Sequence, residues 1–105
     1  MIVFLYRWKL RIGMEQSFEE AWSFVTKELR EREGSLGSRL HLDSDGWFYG
    51  YAQWPSREAR ENARFTAEMD RALTTMKSAI EEALDEIVLY PVADFLIFDR
   101  INING

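Results

Sequence analysis

Apolar residues alternate along four stretches of the chain, which predicts four β-strands. The strands run from Ile2 to Lys9, from Leu36 to Leu42, from Trp47 to Trp54 and from Ile87 to Phe98. Pro91 inside the fourth strand indicates an edge position or a bulge. The first and third strands carry large apolar side chains on both faces, so we expect both of their faces to be covered.

Between the strands, apolar residues recur at helical spacing in two regions. The first predicts a helix from about Met14 to Glu33, and Gly34 supplies its C-terminal stop. The second runs from Arg57 to Glu86 and begins after Ser56, which is a good N-cap. It is predicted to be two helices, with a break near residues 64 to 70.

The order of elements is therefore β-α-β-β-α-β with the second helix divided, which is the ferredoxin-like plan of an α+β domain. Both helices then lie on one face of an antiparallel four-stranded sheet, and the other face is left bare. Because the strands are apolar on both sides, we expect a homodimer in which a second copy packs on that face, sheet to sheet. The 105 residues are predicted to form one domain with a core from about residue 2 to residue 98.

Composition narrows the classes of partner. The net charge is −5 and the basic residues are scattered, which disfavours nucleic acid and anionic membranes because both bind clustered cations. The N-terminal apolar run is too short for a signal peptide or a membrane span. The absence of cysteine excludes disulfides and sulfur-ligated metals. We expect a cytoplasmic protein without a bound metal.

An acidic cluster occupies residues 81 to 86, which the pattern places at the C-terminal end of the last helix. Negative charge there opposes the helix dipole. The cluster is then either solvated or met by basic residues, for which the partner subunit is one source. A metal site built from Glu82 and Glu86 is not expected, because no histidine or cysteine joins them.

Three charged residues on strands are candidates for chemistry or for an interface. His41 is the one imidazole of the sequence and would serve as a general base, or it is a structural hydrogen-bonding group beside Asp43. Arg39, on the same strand face, would hold an anionic substrate or pair with an acid across the dimer. Arg7 lies on a largely apolar face and needs a partner, which is Asp94 or another acid, unless it faces the subunit interface.

Several segments resemble the antibiotic biosynthesis monooxygenase-like domain, a family of the dimeric α/β-barrel superfamily. They are Gly34 with the following Ser35-Leu36-Gly37-Ser38-Arg39-Leu40-His41, the turn at Asp45-Gly46, and above all Tyr51-Ala52-Gln53-Trp54-Pro55-Ser56-Arg57-Glu58-Ala59. The resemblance spans about Ile2 to Phe98. It implies a homodimer whose two sheets face each other and, in each subunit, a cavity between the sheet and the helices.

Members of this family include cofactor-free oxygenases of quinol-type substrates and haem-degrading enzymes. The resemblance implies a small monooxygenase that needs no cofactor and oxidises an aromatic or quinol-type molecule in a pocket of each subunit. Trp54 matches a pocket tryptophan of the oxygenases, whereas Gly50 stands where their asparagine is expected. Gly50 favours the alternative of a protein that binds a small apolar ligand without turnover. A haem-related activity is disfavoured, because the first strand lacks an asparagine and His41 lies on a strand.

Oxidation by O₂ without a cofactor needs an ionised quinol or enolate in a dry apolar pocket, with polar groups where charge develops. Aromatic walls suit such a pocket, although each aromatic residue is equally ordinary core material. The expected catalytic residues are His41, Tyr51 and Trp54. The expected pocket residues are Tyr6, Trp8, Trp22, Arg39, Tyr49, Met69 and Met76.

Overall fold

A computed structural model describes residues 1–97 of the chain. Its elements are β1 (Ile2–Leu10), α1 (Glu15–Arg32), β2 (Gly37–Leu42), β3 (Trp47–Trp54), α2 (Arg57–Glu61), α3 (Ala67–Ala79) and β4 (Ile80–Leu89). The first three strands, the first helix and the division of the second helical region lie where the sequence predicted them.

The strands form one antiparallel sheet in the order β2-β3-β1-β4. Residues directly opposite each other in neighbouring strands share a face of the sheet. The helix face carries Phe4, Tyr6 and Trp8 of β1 together with Phe48, Gly50, Ala52 and Trp54 of β3. The open face carries Val3, Leu5 and Arg7 of β1 together with Tyr49, Tyr51 and Gln53 of β3. This arrangement confirms the predicted α+β, ferredoxin-like fold.

The core lies between the helix face and the two longer helices. From α1 it takes Phe18, Ala21 and Val25, and from α3 it takes Met69, Met76 and Ala79. The one-sided apolar pattern of α1 thus predicts its buried side correctly.

α2 is held differently. Ser56 caps it, since its Oγ accepts a hydrogen bond from the backbone N–H of Ala59 at 3.1 Å. The five residues of the helix include none that is buried. Within α2, Ala59 packs, partly buried, against the cluster that contains Phe4 and Trp54, and polar contacts described below add to this packing.

The predicted end of the last helix is wrong. α3 ends at Ala79, and residues 80–86 belong to β4, while the chain beyond Leu89 is not strand within the described residues. The outer edge of β1 needs hydrogen-bond partners, and β4 supplies them, with Ile80 opposite Leu10 and Leu89 opposite Val3. Phe98, the predicted end of the fourth strand, lies outside the described residues.

The acidic cluster consequently lies on a strand, and the helix-dipole argument does not apply to it. Arg7 on the open face donates from Nη2 to the backbone oxygen of Asp85 at 3.2 Å, and within residues 1–97 its buried Nε has no hydrogen-bond partner. Asp94, the predicted partner of Arg7, accepts instead from the backbone N–H of Leu96 at 2.9 Å.

Residues 90–97 follow β4, and residues 90, 91 and 93–96 line a shallow hollow together with Val3 and Tyr51 of the open face. Their side chains include Val92, 98% exposed, and Phe95, 93% exposed. The open face is thus bordered by unburied apolar side chains. Among the helices of residues 1–97, none is long and apolar enough to cross a membrane.

Candidate functional site

A cavity of about 380 Å³ lies between the helix face of the sheet and the helices. Its aromatic walls are Tyr6, Trp8, Trp22, Trp54 and Phe65, and its aliphatic walls include Val25, Leu29, Leu73 and Met76. Small-molecule sites in proteins are typically cavities of about 300–1,000 Å³ with mainly apolar walls. The cavity therefore has the size and the lining of a site for a small aromatic molecule.

The floor of the cavity depends on Gly50. The rings of Tyr6 and Trp8 are stacked, with centroids 5.6 Å apart and planes 5° from parallel. Trp8 also meets Phe18 edge to face at 5.1 Å. A Cβ atom on residue 50 would lie 2.8 Å from Cη2 of Trp8, so only glycine lets the indole lie across β3. The indole occupies the space in which the resemblance leads one to expect an asparagine side chain.

Three polar side chains meet at one side of the cavity, and we call Tyr6, Arg60 and Glu86 the Arg60 cluster. Nη1 of Arg60 donates to the Tyr6 hydroxyl at 2.8 Å and to Oε1 of Glu86 at 2.8 Å. Nη2 donates to Oε2 of Glu86 at 3.2 Å. The guanidinium also lies 3.7 Å from the ring centroid of Phe4, a cation–π contact. The cluster ties α2 to β1 and β4.

The contacts of the cluster shift the pKa values of its members. The hydrogen bond from Arg60 lowers the pKa of Glu86, and the same bond raises the pKa of Arg60. Burial raises the pKa of the Tyr6 phenol, and the charge of Arg60 offsets this rise only in part. At neutral pH, Glu86 is therefore ionised and Tyr6 carries its proton.

Further hydroxyl groups line the cavity on the side of α1 and β2. They belong to Thr26, Ser35 and Ser38, and Oγ of Ser35 accepts from the backbone N–H of Gly37 at 3.0 Å. β3 lies between β2 and β1, so the backbones of β2 and β1 are roughly 10 Å apart at the usual strand spacing. An apolar middle region of the cavity thus separates these hydroxyl groups from the Arg60 cluster.

Comparison with known proteins finds relatives by structure alone, since no protein-family model and no curated protein matches the sequence. A candidate antibiotic biosynthesis monooxygenase from Caulobacter crescentus CB15 matches with a TM-score of 0.75 at 18% identity, over 88% of this chain and 90% of that one. SnoaB, a cofactor-independent oxygenase from Streptomyces nogalater, matches with a TM-score of 0.73 at 14% identity, over 90% and 95%. A candidate monooxygenase of the same kind from Chloroflexus aurantiacus J-10-fl matches with a TM-score of 0.75 at 13% identity, over 93% and 100%.

The chain has the antibiotic biosynthesis monooxygenase fold. The resemblance inferred from the sequence is thus confirmed for the architecture. At these identities the likeness concerns the fold and not the reaction, so the chemistry has to follow from the side chains of the cavity.

The fold brings part of the predicted site together. Tyr6, Trp8, Trp22, Trp54 and Met76 all line the cavity. Met69 is fully buried in the core under α3 and is not among the lining residues.

The same fold places Arg39, His41, Tyr49 and Tyr51 on the open face, where Arg39 is opposite Tyr51 and His41 is opposite Tyr49. Nε of Arg39 donates to Nε2 of His41 at 3.0 Å, and the Tyr49 hydroxyl donates to Oδ2 of Asp43 at 3.0 Å. The sheet separates these groups from the cavity, because successive residues of a strand point to opposite faces. They do not share one pocket with Trp54, which corrects the expected grouping.

Sequence reasoning missed Arg60 and the role of Glu86. The sequence pattern assigned Glu86 to the end of a helix. Had the strand been started at Glu86, the alternation with Ile87 and Val88 would have put Glu86 on the helix face. Arg60 lies one turn after the Ser56 cap, and its guanidinium reaches Tyr6 of β1 and Glu86 of β4. The prediction that basic residues meet the acidic cluster is right for Glu86, but the basic residue comes from the same chain.

Proposed function

We propose that this protein is a small cofactor-independent oxygenase that oxidises an ionisable aromatic or quinol-type molecule in the cavity of each subunit. The observation that carries the proposal is the cavity walled by Trp8, Trp22 and Trp54, with Tyr6 and Arg60 at one side. That SnoaB, a cofactor-independent oxygenase, has the same fold adds support.

In a cofactor-independent oxygenase the electrons that reduce O₂ come from the substrate. An ionised quinol or enolate passes one electron to O₂, and the resulting superoxide combines with the substrate radical to form a peroxide. Where the carbon attacked is a CH₂ beside a conjugated system, protonation and loss of water leave a new carbonyl group. One CH₂ group and one O₂ then give one C=O group and one H₂O, so no outside reductant is needed.

The cavity residues have distinct tasks in this scheme. The tryptophan walls hold the plane of the substrate and exclude water. Tyr6, held by Arg60, places a hydrogen-bond donor where negative charge develops. Neither Glu86 nor Tyr6 is a good base, since the pKa of Glu86 is lowered and that of Tyr6 is raised. The substrate is therefore expected to lose its proton to bulk water before it enters the cavity.

Oxygen uptake by the metal-stripped protein, measured against hydroquinones and anthrone-like compounds, tests the proposal. We expect protein-dependent uptake that falls about 10- to 100-fold in Trp54→Ala, because a substrate without its wall is misplaced. Trp47→Ala is the matched control, because Trp47 lies on the same strand as Trp54 but opposite Lys9 on the open face. This variant should keep the oxygen uptake. The absence of uptake above buffer with every compound would refute an oxygenase of this substrate class.

The pH dependence of oxygen uptake tests whether a side chain of the protein removes the substrate proton. The rate is expected to rise with pH and level off above the pKa of the substrate, because ionisation of the substrate rather than of a side chain limits the reaction. Two hydroquinones with different pKa values should give two profiles displaced by that difference. A common midpoint for both compounds would instead show that a protein group removes the proton.

A second function, binding of a small apolar ligand without turnover, is favoured by one observation. Trp8 fills the space over Gly50, so an apolar ring stands where a polar group would assist chemistry. Saturable binding with no oxygen uptake would identify this function. A haem-related activity has no such support, since His41, the only histidine of the sequence, lies on the open face.

We also propose that two copies associate through their open faces. The exposed apolar side chains of residues 90–97 beside that face support this arrangement. The buried Nε of Arg7, unpartnered within residues 1–97, lies on the same face and would gain a polar environment from a second copy.

A further inference from the structure

The hydrogen bond between Arg60 and Tyr6 has a fixed direction. A guanidinium can only donate, so the Tyr6 oxygen accepts from Nη1 of Arg60 at 2.8 Å. The phenolic proton is then left for a different acceptor, and within residues 1–97 no hydrogen bond from the Tyr6 hydroxyl uses it. Because Tyr6 lines the cavity, an oxygen atom of the ligand is the acceptor that the geometry provides for.

The charge of Arg60 is already neutralised. Glu86 accepts from both of its terminal nitrogens, at 2.8 and 3.2 Å, which is the two-pronged pairing that carboxylates form with guanidinium groups. A ligand carboxylate would lose its hydration and meet the charge of Glu86, and among residues 1–97 no cation other than Arg60 lines the cavity to compensate. A phenolic or ring carbonyl oxygen loses less hydration and needs only one donor, and an ionised quinol or enolate spreads its charge over the ring instead of holding it on two oxygens beside Glu86.

We propose that Tyr6 recognises a phenolic or carbonyl oxygen on the aromatic ligand, and that Glu86 excludes aromatic carboxylates by neutralising Arg60. Arg60 and Glu86 are positioning residues here, since Arg60 fixes the Tyr6 hydroxyl and Glu86 fixes Arg60. The inference rests on the proposed function in treating the cavity as the ligand site, but it does not depend on turnover.

Equilibrium dialysis with naphthalene, 1-naphthol and 1-naphthoate tests the role of Tyr6, because the three compounds share one ring system. The wild-type protein should bind 1-naphthol about 2- to 10-fold more tightly than naphthalene, the range expected for one hydrogen bond, and 1-naphthoate no more tightly than naphthalene. Tyr6→Phe should abolish the preference for 1-naphthol while keeping the affinity for naphthalene. Tyr51→Phe makes the same change on the open face and should leave the ranking intact.

The role of Glu86 is tested by a gain of affinity. Glu86→Gln frees the guanidinium of Arg60 for a charged hydrogen bond, so the affinity for 1-naphthoate should rise at least about threefold, as one such bond allows. Glu82→Gln is the matched control, since Glu82 is opposite Lys9 on the open face. A gain of affinity cannot arise from a variant that fails to fold.

Each outcome decides between the ideas. A preference for 1-naphthol that survives in Tyr6→Phe, 1-naphthoate as the tightest wild-type ligand, or no gain in Glu86→Gln would overturn the inference. The expected ranking without oxygen uptake would refute the oxygenase and leave the inference standing. Oxygen uptake combined with an unchanged ranking in Tyr6→Phe would overturn the inference and leave the oxygenase standing. Failure to bind any of the three compounds would overturn both the inference and the oxygenase.

Discussion

Replacing Gly50 with alanine is expected to lower the free energy of unfolding by about 1–3 kcal/mol, the usual cost of overpacking a core. The new Cβ would lie 2.8 Å from Cη2 and 2.9 Å from Cζ3 of Trp8. The indole has little room to move, because it is stacked on Tyr6 and meets Phe18 edge to face. Since Trp8 also forms a wall of the cavity, the variant should bind aromatic ligands more weakly. Urea unfolding and equilibrium dialysis measure the two effects.

A double-mutant cycle with Trp8→Phe provides the control. Phenylalanine lacks the outer ring atoms that meet the new Cβ, so Gly50→Ala should cost less in the Trp8→Phe background. We expect a favourable coupling of about 0.5–3 kcal/mol, as found for residues in direct contact. Strictly additive losses would show that the Trp8 ring is not the reason for glycine at this position.

Replacing Phe95 with aspartate is expected to weaken the proposed dimer about 30-fold or more. Phe95 is 93% exposed in the single chain, so its loss should cost the subunit itself little. In a sheet-to-sheet dimer the same ring would be buried, and aromatic residues at the centre of an interface commonly contribute about 2 kcal/mol or more. Sedimentation over a range of protein concentrations gives the dissociation constants.

Ile12→Asp is the matched control for this variant. Ile12 is 97% exposed but lies in the turn between β1 and α1, away from the open face. It should leave the dimer unchanged. A wild-type chain that sediments as a monomer would disprove the dimer, and a dimer that tolerates Phe95→Asp would place the interface elsewhere.

The alternation of apolar residues identified β1, β2 and β3 and both faces of β1, because side-chain direction in a strand follows directly from position. The same pattern failed at residues 80–86. Glutamate, alanine and leucine are strong helix formers, and Ile80, Ala83 and Leu84 continue the apolar stripe of α3. Pairing with β1, far away in sequence, overrides that local preference.

The candidate site was predictable to the extent that it is built from large apolar side chains. Trp8, Trp22 and Trp54 stand out in any short chain, and they do line the cavity. The Arg60 cluster was out of reach, because it requires contact between α2 and a strand that the sequence pattern assigned to a helix. The placement of Tyr51 depended on which face the helices cover, and alternation alone leaves that choice open.

The central position of β1 has a consequence for how the chain folds. β1 is made before the other strands of the sheet, yet its neighbours are β3, beyond a long helix and another strand, and β4, near the end of the described residues. Pairing between segments so distant in sequence makes folding slow. Until β4 has been synthesised, a strand that is apolar on both faces keeps an unpaired edge, which is the feature that promotes aggregation of nascent chains.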